Sequence, residues 1–228
     1  MNWTKTIINQ GCILIYVLIY FSGCKEKSTI QSISVHKVTQ DQLRTQKSAV
    51  SIIEKTIPIV KQGDLILRTG NDFTSESLRQ MSHFDKTYSH CGIASYENDT
   101  LFVYHALGGD WNPDEKLRRD RFELFCNPKE NRGFGVYTYK LNNGEIQKLD
   151  SVIKSWYKKS FTFDMNFDLA TDEKLYCAEF VSKAINKATD GRMVFDLTRI
   201  NNFIFIAIDN LFNNDFCTEK TRVRFNLF

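Results

Sequence analysis

Four histidines and six cysteines are the side chains of this 228-residue chain best suited to nucleophilic and acid–base chemistry. Two of them, His90 and His105, flank a turn-rich cluster, Glu97-Asn98-Asp99-Thr100. The apolar runs on either side, 91–96 and 101–107, make this a β-hairpin signal. A two- or four-residue loop centred on Asn98-Asp99 pairs residues whose numbers sum to 197, so His105 falls opposite Gly92 and His90 opposite Leu107. Residues 90, 92, 105 and 107 then share one face, with the two imidazoles as diagonal neighbours roughly 7–8 Å apart at Cα. A loop of odd length would put them on opposite faces. The parity favours a shared site.

The candidate partner for this pair is Cys177. In the segment 176–185, Cys177, Phe180, Val181, Ala184 and Ile185 recur on one helical face, and a loop precedes them. A thiol is a nucleophile only as thiolate. Placement at a helix N-terminus beside an imidazole lowers its pKa from about 8.5 to roughly 3.5–7.5. The backbone N–H of Cys177 would there help to bind the oxyanion of a tetrahedral intermediate. His90 would act as base and then acid, and His105 would orient it, as the third member of a triad does.

Plainer roles are open to each of these residues. A cysteine on an apolar helical face is commonly core, and a strand histidine is commonly a satisfied polar group. A zinc site from His83, His90, Cys91 and His105 lacks the usual ligand spacing, so no metal or other cofactor is expected. Asp164, Asp168 and Asp172 do not follow a calcium-loop pattern and read as a solvated loop. Gly108-Gly109 reads as a turn without a phosphate fingerprint, and Glu179 as a structural residue pointing away from the Cys177 face. Trp111, Phe122, Phe125, Phe161, Phe163 and Phe167 surround the candidate cleft segments. Most are expected in the core, although they would also suit an acyl-chain or aromatic substrate.

The elements that must position these groups follow from periodicity. Strands are predicted over 63–68 and 134–141, and a short helix over 74–81. A longer helix carries Ile146, Leu149, Val152, Ile153 and Trp156 after a cap at Asn143. An apolar stretch, 203–212, and a last strand, 222–227, close an α+β domain.

Apolar residues make up 42% of the chain and charged residues 25%, with three prolines and eleven glycines, which excludes collagenous and broadly disordered chains. A net charge of +3 is too small for a dedicated nucleic-acid surface. The uncharged run 12–21 has the length of a signal-peptide core, short of the roughly 20 residues a spanning helix needs. It ends at Ser22-Gly23-Cys24, which resembles the lipobox of bacterial lipoproteins, with Phe21 in place of the usual aliphatic residue. The expected organisation is a signal peptide over 1–23, a lipid-bearing Cys24 with a tether over 24–56, and a domain over 57–228. The charged Lys25-Glu26-Lys27 looks like the export tags of some envelope lipoproteins, so the expected location is the bacterial cell envelope, on the outer membrane.

Four short motifs carry a family resemblance in one linear order: Gly63-Asp64-Leu65-Ile66, Tyr88-Ser89-His90-Cys91-Gly92-Ile93, Val103-Tyr104-His105-Ala106 and Leu175-Tyr176-Cys177-Ala178-Glu179-Phe180-Val181. Over about 62–188 the chain is similar to the YiiX/YebB-like cysteine hydrolases, circularly permuted relatives of the NlpC-type papain-like enzymes and cousins of lecithin:retinol acyltransferase. The resemblance implies a permuted papain-like fold, a small antiparallel sheet or barrel packed on helices with the nucleophile at a helix N-terminus. It implies Cys177 and His90 as the catalytic pair and His105 as the third polar residue. Many relatives carry Glu at the position of His105, and the acyltransferase-like members carry His. Cys91 stands where Val or Ala is commoner. Tyr88 is a candidate oxyanion or supporting residue.

The expected function is a membrane-anchored thiol hydrolase. It would cleave a cell-envelope peptide or peptidoglycan amide, or a lipid acyl amide or ester, through an acyl-enzyme. The alternative is a non-catalytic envelope lipoprotein that uses the fold for binding.

Overall fold

The structure, a computed structural model, describes residues 40–109 and 112–226. The expected signal peptide, Cys24 and Trp111 lie outside the described residues. In chain order come helix α1 (Gln40–Thr56), strand β1 (Leu65–Gly70), helix α2 (Phe73–Gln80), the strands β2 (His90–Glu97), β3 (Thr100–His105) and β4 (Arg118–Arg121), and the short helix α3 (Phe122–Phe125). They are followed by β5 (Asn131–Tyr139), α4 (Asn143–Lys158), α5 (Cys177–Ala188), β6 (Thr198–Ile200), β7 (Phe203–Phe205) and β8 (Cys217–Arg224). Six strands form one antiparallel sheet in the order β4-β3-β2-β1-β5-β8, while β6 and β7 make a separate hairpin.

The β2–β3 hairpin closes through the two-residue loop Asn98-Asp99, with φ of 46° and 61°. Two successive positive φ values define the turn whose twist matches the flanking strands, and Asn and Asp tolerate that region better than other side chains. The observed pairs Ile93↔Tyr104 and Glu97↔Thr100 carry the expected register, in which partner numbers sum to 197.

That register sorts the sheet into two faces. Leu65, Leu67, Cys91 and Ile93 stand on one, Ile66, Arg68, His90 and Gly92 on the other, because directly paired residues share a face. The first face packs against α4 and α5, whose Leu149, Ile153, Phe180, Val181 and Ile185 complete the larger core. The second face packs against α1 and α3 through Ala49, Ile53, Phe122 and Phe125. The 17-residue α1 therefore packs as part of the domain, where a tether was expected up to residue 56. Its Ala49 and Ile53 are four apart, one turn of a helix, and both are buried.

Side chains set the helix starts. Asp72 accepts from the Ser75 N–H at 2.9 Å to open α2. Asn142 and Glu145 exchange hydrogen bonds of 3.0 and 2.9 Å to open α4, one residue earlier than the expected cap at Asn143. Asp164 is buried, contrary to the solvated loop expected around it. Its carboxylate accepts from the backbone N–H groups of Asn166 and Asp168 at 2.9 and 2.6 Å, so the loop folds around its own acceptor. No helix among the described residues is long and apolar enough to cross a membrane.

Candidate active site

Cys177 is the first residue of α5. The preceding residue, Tyr176, has its N–H held by the Glu179 carboxylate at 3.3 Å, and Glu179 is itself fully buried with Lys183 beside it at 2.9 Å. Glu179 thus fixes the start of the helix, the structural role expected of it. Burial pushes its carboxyl pKa up to about 7.

The sulfur of Cys177 receives a hydrogen bond from the Cys91 thiol, and this lowers its pKa below the ordinary thiol value against the opposing effect of burial. The backbone N–H groups of Ala178, Cys91 and Cys177 act in the same direction. Free N–H groups at a helix start stabilise an anion because no intrahelical acceptor uses them. Cys91, buried and donating, is pushed the other way, to well above its ordinary value. Of the two thiols, Cys177 is therefore the one that ionises first.

The two histidines meet as expected. His90 Nε2 lies 2.8 Å from His105 Nδ1, and His105 Nε2 lies 3.0 Å from Asp120 Oδ2. Arg118 braces the same carboxylate oxygen at 3.1 Å. The Phe125 ring packs against both imidazoles, with centroids 5.6 and 5.0 Å away, and carries the Arg68 guanidinium at 4.9 Å. Burial holds the His105 pKa down to about 4 despite Asp120, and burial with the Arg68 charge holds His90 well below its usual value. Both rings are neutral near pH 7.

Neutrality fixes the tautomers along this chain. The hydrogen bond from His105 keeps Asp120 ionised, with its pKa below the usual carboxylate value, so its oxygen only accepts. His105 must then carry its proton on Nε2 and leave Nδ1 bare. His90 must donate from Nε2 into that lone pair, which leaves His90 Nδ1 unprotonated. The chain of three residues thereby presents a basic nitrogen on His90.

His90 and Cys177 come to the site from opposite faces of β2. The sulfur meets the strand at the Cys91 N–H, the peptide nitrogen that directly follows His90. Among the described hydrogen bonds none joins the His90 ring to Cys177. Beside the sulfur lies a small apolar cleft lined by Leu78, Met81, Phe167, Tyr176, Phe205 and Ile206.

The remaining candidates are placed as follows. The Tyr88 hydroxyl sits 3.4 Å from that of Tyr137, within a cluster completed by Glu219 and Arg222, so it is engaged there rather than offered to the thiol. His83 is exposed and packs edge-on against Phe84. Among the described residues no group of three His, Cys, Asp or Glu side chains is placed to hold a metal ion. Cys126 and Cys217 are free thiols, Cys126 in the smaller core and Cys217 against the larger. Of the aromatic residues, Phe167 lines the cleft, while Phe122 and Phe125 lie on the histidine side of the sheet.

Asp120 is the member of the site that sequence reasoning missed. It pairs with Val103 across β3 and β4, after a connection of twelve residues, 106–117, whose length hides the register. The one available signal was a single carboxylate among three arginines in Arg118-Arg119-Asp120-Arg121, a short strand at the sheet edge.

No protein-family model matches the chain, and neither does any curated protein. Among solved structures it is similar to the metalloprotein YiiX from Escherichia coli O157:H7, at 17% identity and a TM-score of 0.59, over 72% of this chain and 98% of that one. The chain has a YiiX-like α+β fold.

Proposed function

We propose that the protein is a thiol hydrolase that cleaves an amide or ester bond through an acyl-enzyme on Cys177. The observation that carries this reading is the fixed tautomer chain Asp120–His105–His90. It ends in a bare imidazole nitrogen at the residue whose following N–H touches the Cys177 sulfur. A carboxylate that sets the tautomer of one imidazole and, through it, the tautomer of a second is the arrangement by which a triad orients its base.

In the first half-reaction the Cys177 thiolate attacks the carbonyl carbon. The N–H groups of Cys177 and Ala178, turned towards the sulfur, meet the developing oxyanion. His90, having taken the Cys177 thiol proton at Nδ1 as the sulfur attacks, delivers it to the departing amine or alcohol, and its restored lone pair then activates the water that frees the acid. During each transfer the imidazolium is stabilised through His105 by Asp120.

The largely apolar lining of the cleft, in which Leu78, Met81, Phe167 and Ile206 outweigh the hydroxyls of Ser89 and Tyr176, favours a lipid acyl amide or ester over a peptidoglycan amide. We further propose that the domain acts at the cell envelope, held there by a lipid on Cys24, as the Ser22-Gly23-Cys24 sequence suggests. One observation favours the alternative of a non-catalytic binding domain: His90 and Cys177 are not hydrogen-bonded to each other.

The deciding experiment exposes the protein to p-nitrophenyl esters with acyl chains of increasing length and weighs the intact chain. The reading expects one acyl adduct, mapped to Cys177, that forms faster with longer chains and is absent in Cys177→Ala. His90→Ala should acylate slowly and retain the adduct. No adduct on Cys177 with any ester or γ-glutamyl anilide overturns the hydrolase reading in favour of the binding domain.

A further inference from the structure

Acyl transfer leaves the Cys91 thiol without a chemical role, yet the packing of α5 on β2 brings it into one buried cluster with Cys177, close enough for each thiol to shift the other's ionisation. The contact is built by the fold. Cys91 projects from β2 onto the face where Leu67 is its cross-strand partner, and α5 packs on that face with Cys177 at its first residue. Neither sulfur is in a disulfide. Cys177 lines a cleft, and Cys91 is completely buried behind it. The other two described cysteines are not arranged this way, since Cys126 lies on the opposite face of the sheet and Cys217 on the edge strand β8.

We propose that Cys91 and Cys177 form a peroxide-responsive dithiol, in which oxidation of Cys177 is resolved by Cys91 into a reversible disulfide. The oxidant is a hydroperoxide small enough to enter the cleft. The Cys177 thiolate attacks the terminal peroxide oxygen, the O–O bond breaks, and the leaving alkoxide takes a proton to become an alcohol, or water from hydrogen peroxide. Cys177 is then a sulfenic acid. The Cys91 sulfur attacks the Cys177 sulfur, the S–O bond breaks, and hydroxide leaves with the Cys91 proton as water. Two thiols and one peroxide yield one disulfide, one alcohol and one water. An external dithiol reverses the change.

The geometry explains why a second thiol is useful at this point. A thiolate polarised by three N–H groups at a cleft is open to irreversible over-oxidation, and a neighbouring thiol intercepts the sulfenic acid first. The pair rests on the reading of Cys177 as a reactive sulfur, but it needs no substrate turnover.

The test treats the reduced full chain with one equivalent of hydrogen peroxide, blocks remaining thiols and maps peptides without reduction. The expected product is a single cross-link between the peptides of Cys91 and Cys177, removed by dithiothreitol. In Cys91→Ser and in Cys91→Val, which retains an apolar core, the Cys177 thiol recovered by dithiothreitol after peroxide should fall about tenfold as sulfinic acid accumulates. A stable oxidised Cys177 in the unaltered chain, or a cross-link from Cys177 to Cys12, Cys24, Cys126 or Cys217, overturns the proposal. The readout is mass alone. A cross-link without any acyl adduct would retire the hydrolase reading and leave this pair standing.

Discussion

His105 donates from Nε2 to Asp120 at 3.0 Å, and this hydrogen bond decides which nitrogen of His90, one residue further along the chain of contacts, is basic. The carboxylate reaches His90 only through His105. It acts by holding one tautomer of His105, so its removal should change chemistry more than binding.

Asp120→Asn is the sharpest test of that relation. The amide can donate to His105 Nε2, which moves the His105 proton to Nδ1 and turns the His90 lone pair away from its task. We expect kcat to fall by roughly 10²–10⁴ with KM nearly unchanged. Cys177 alkylation at pH 7 should change little, because the thiol is held by Cys91 and backbone N–H groups. Equal losses in alkylation and turnover would mean that Asp120 acts through the fold instead.

The histidines should impose an acid limit on both stability and activity. His105 has a folded pKa of about 4 against about 6.5 in an unfolded chain. Between these values the unfolded state binds the extra proton, so the stability from burying neutral His105 is complete above pH 6.5 and is lost as pH falls towards 4. His90 adds to this in the same direction. Thermal unfolding between pH 4 and 7 should show a steep acid decline that His105→Gln reduces. The acid limb of kcat/KM should fall well below pH 6.5, and a break at 6.5 would show that the base is a solvated imidazole.

Glu179 should act in the opposite sense. Its folded pKa of about 7 lies above the ordinary 4.5, so the folded state holds its proton longer, and the advantage present below 4.5 is lost as pH rises through 7. Replacement by Gln keeps an acceptor for the Tyr176 N–H and removes the ionisation. Between pH 5 and 8 the unaltered protein should lose on the order of 2 kcal/mol relative to Glu179→Gln. Parallel unfolding curves for the two proteins across that range would refute this account.

Gly92 is required by its place between the two histidines in the hairpin. A Cβ there would stand 2.6 Å from Val103 Cγ1, 2.7 Å from the Tyr104 carbonyl oxygen and 3.0 Å from His105 Cβ. The backbone oxygen cannot turn aside, so Gly92→Ala must push β3 from β2. We expect a loss of about 1–3 kcal/mol in chemical denaturation and a fall in turnover beyond the loss of folded protein. Gly144→Ala, whose Cβ would meet only the Asn142 side chain at 3.3 Å, serves as the tolerant control.

Much of this molecule was legible from residue types alone. The Asn98-Asp99 pair pointed to a loop of even length, two or four residues, the even length set the parity, and parity put His90 and His105 on one face, because strand side chains alternate with period two. The apolar stripe of α5 likewise placed Cys177 on a buried helical face, at a helix start. These are local rules, and they act within a few residues of the atoms concerned. The contacts that complete the site are not local. Asp120 reaches His105 across an edge strand whose register no turn sets, Cys91 finds Cys177 eighty-six positions away only because α5 packs on β2, and α1 joins the domain only because Ala49 and Ile53 find an uncovered face of the sheet. Sequence determined which groups could act and which way each one faces. The packing of the two sheet faces decided which of them touch, because burial fixes partners that spacing along the chain leaves open.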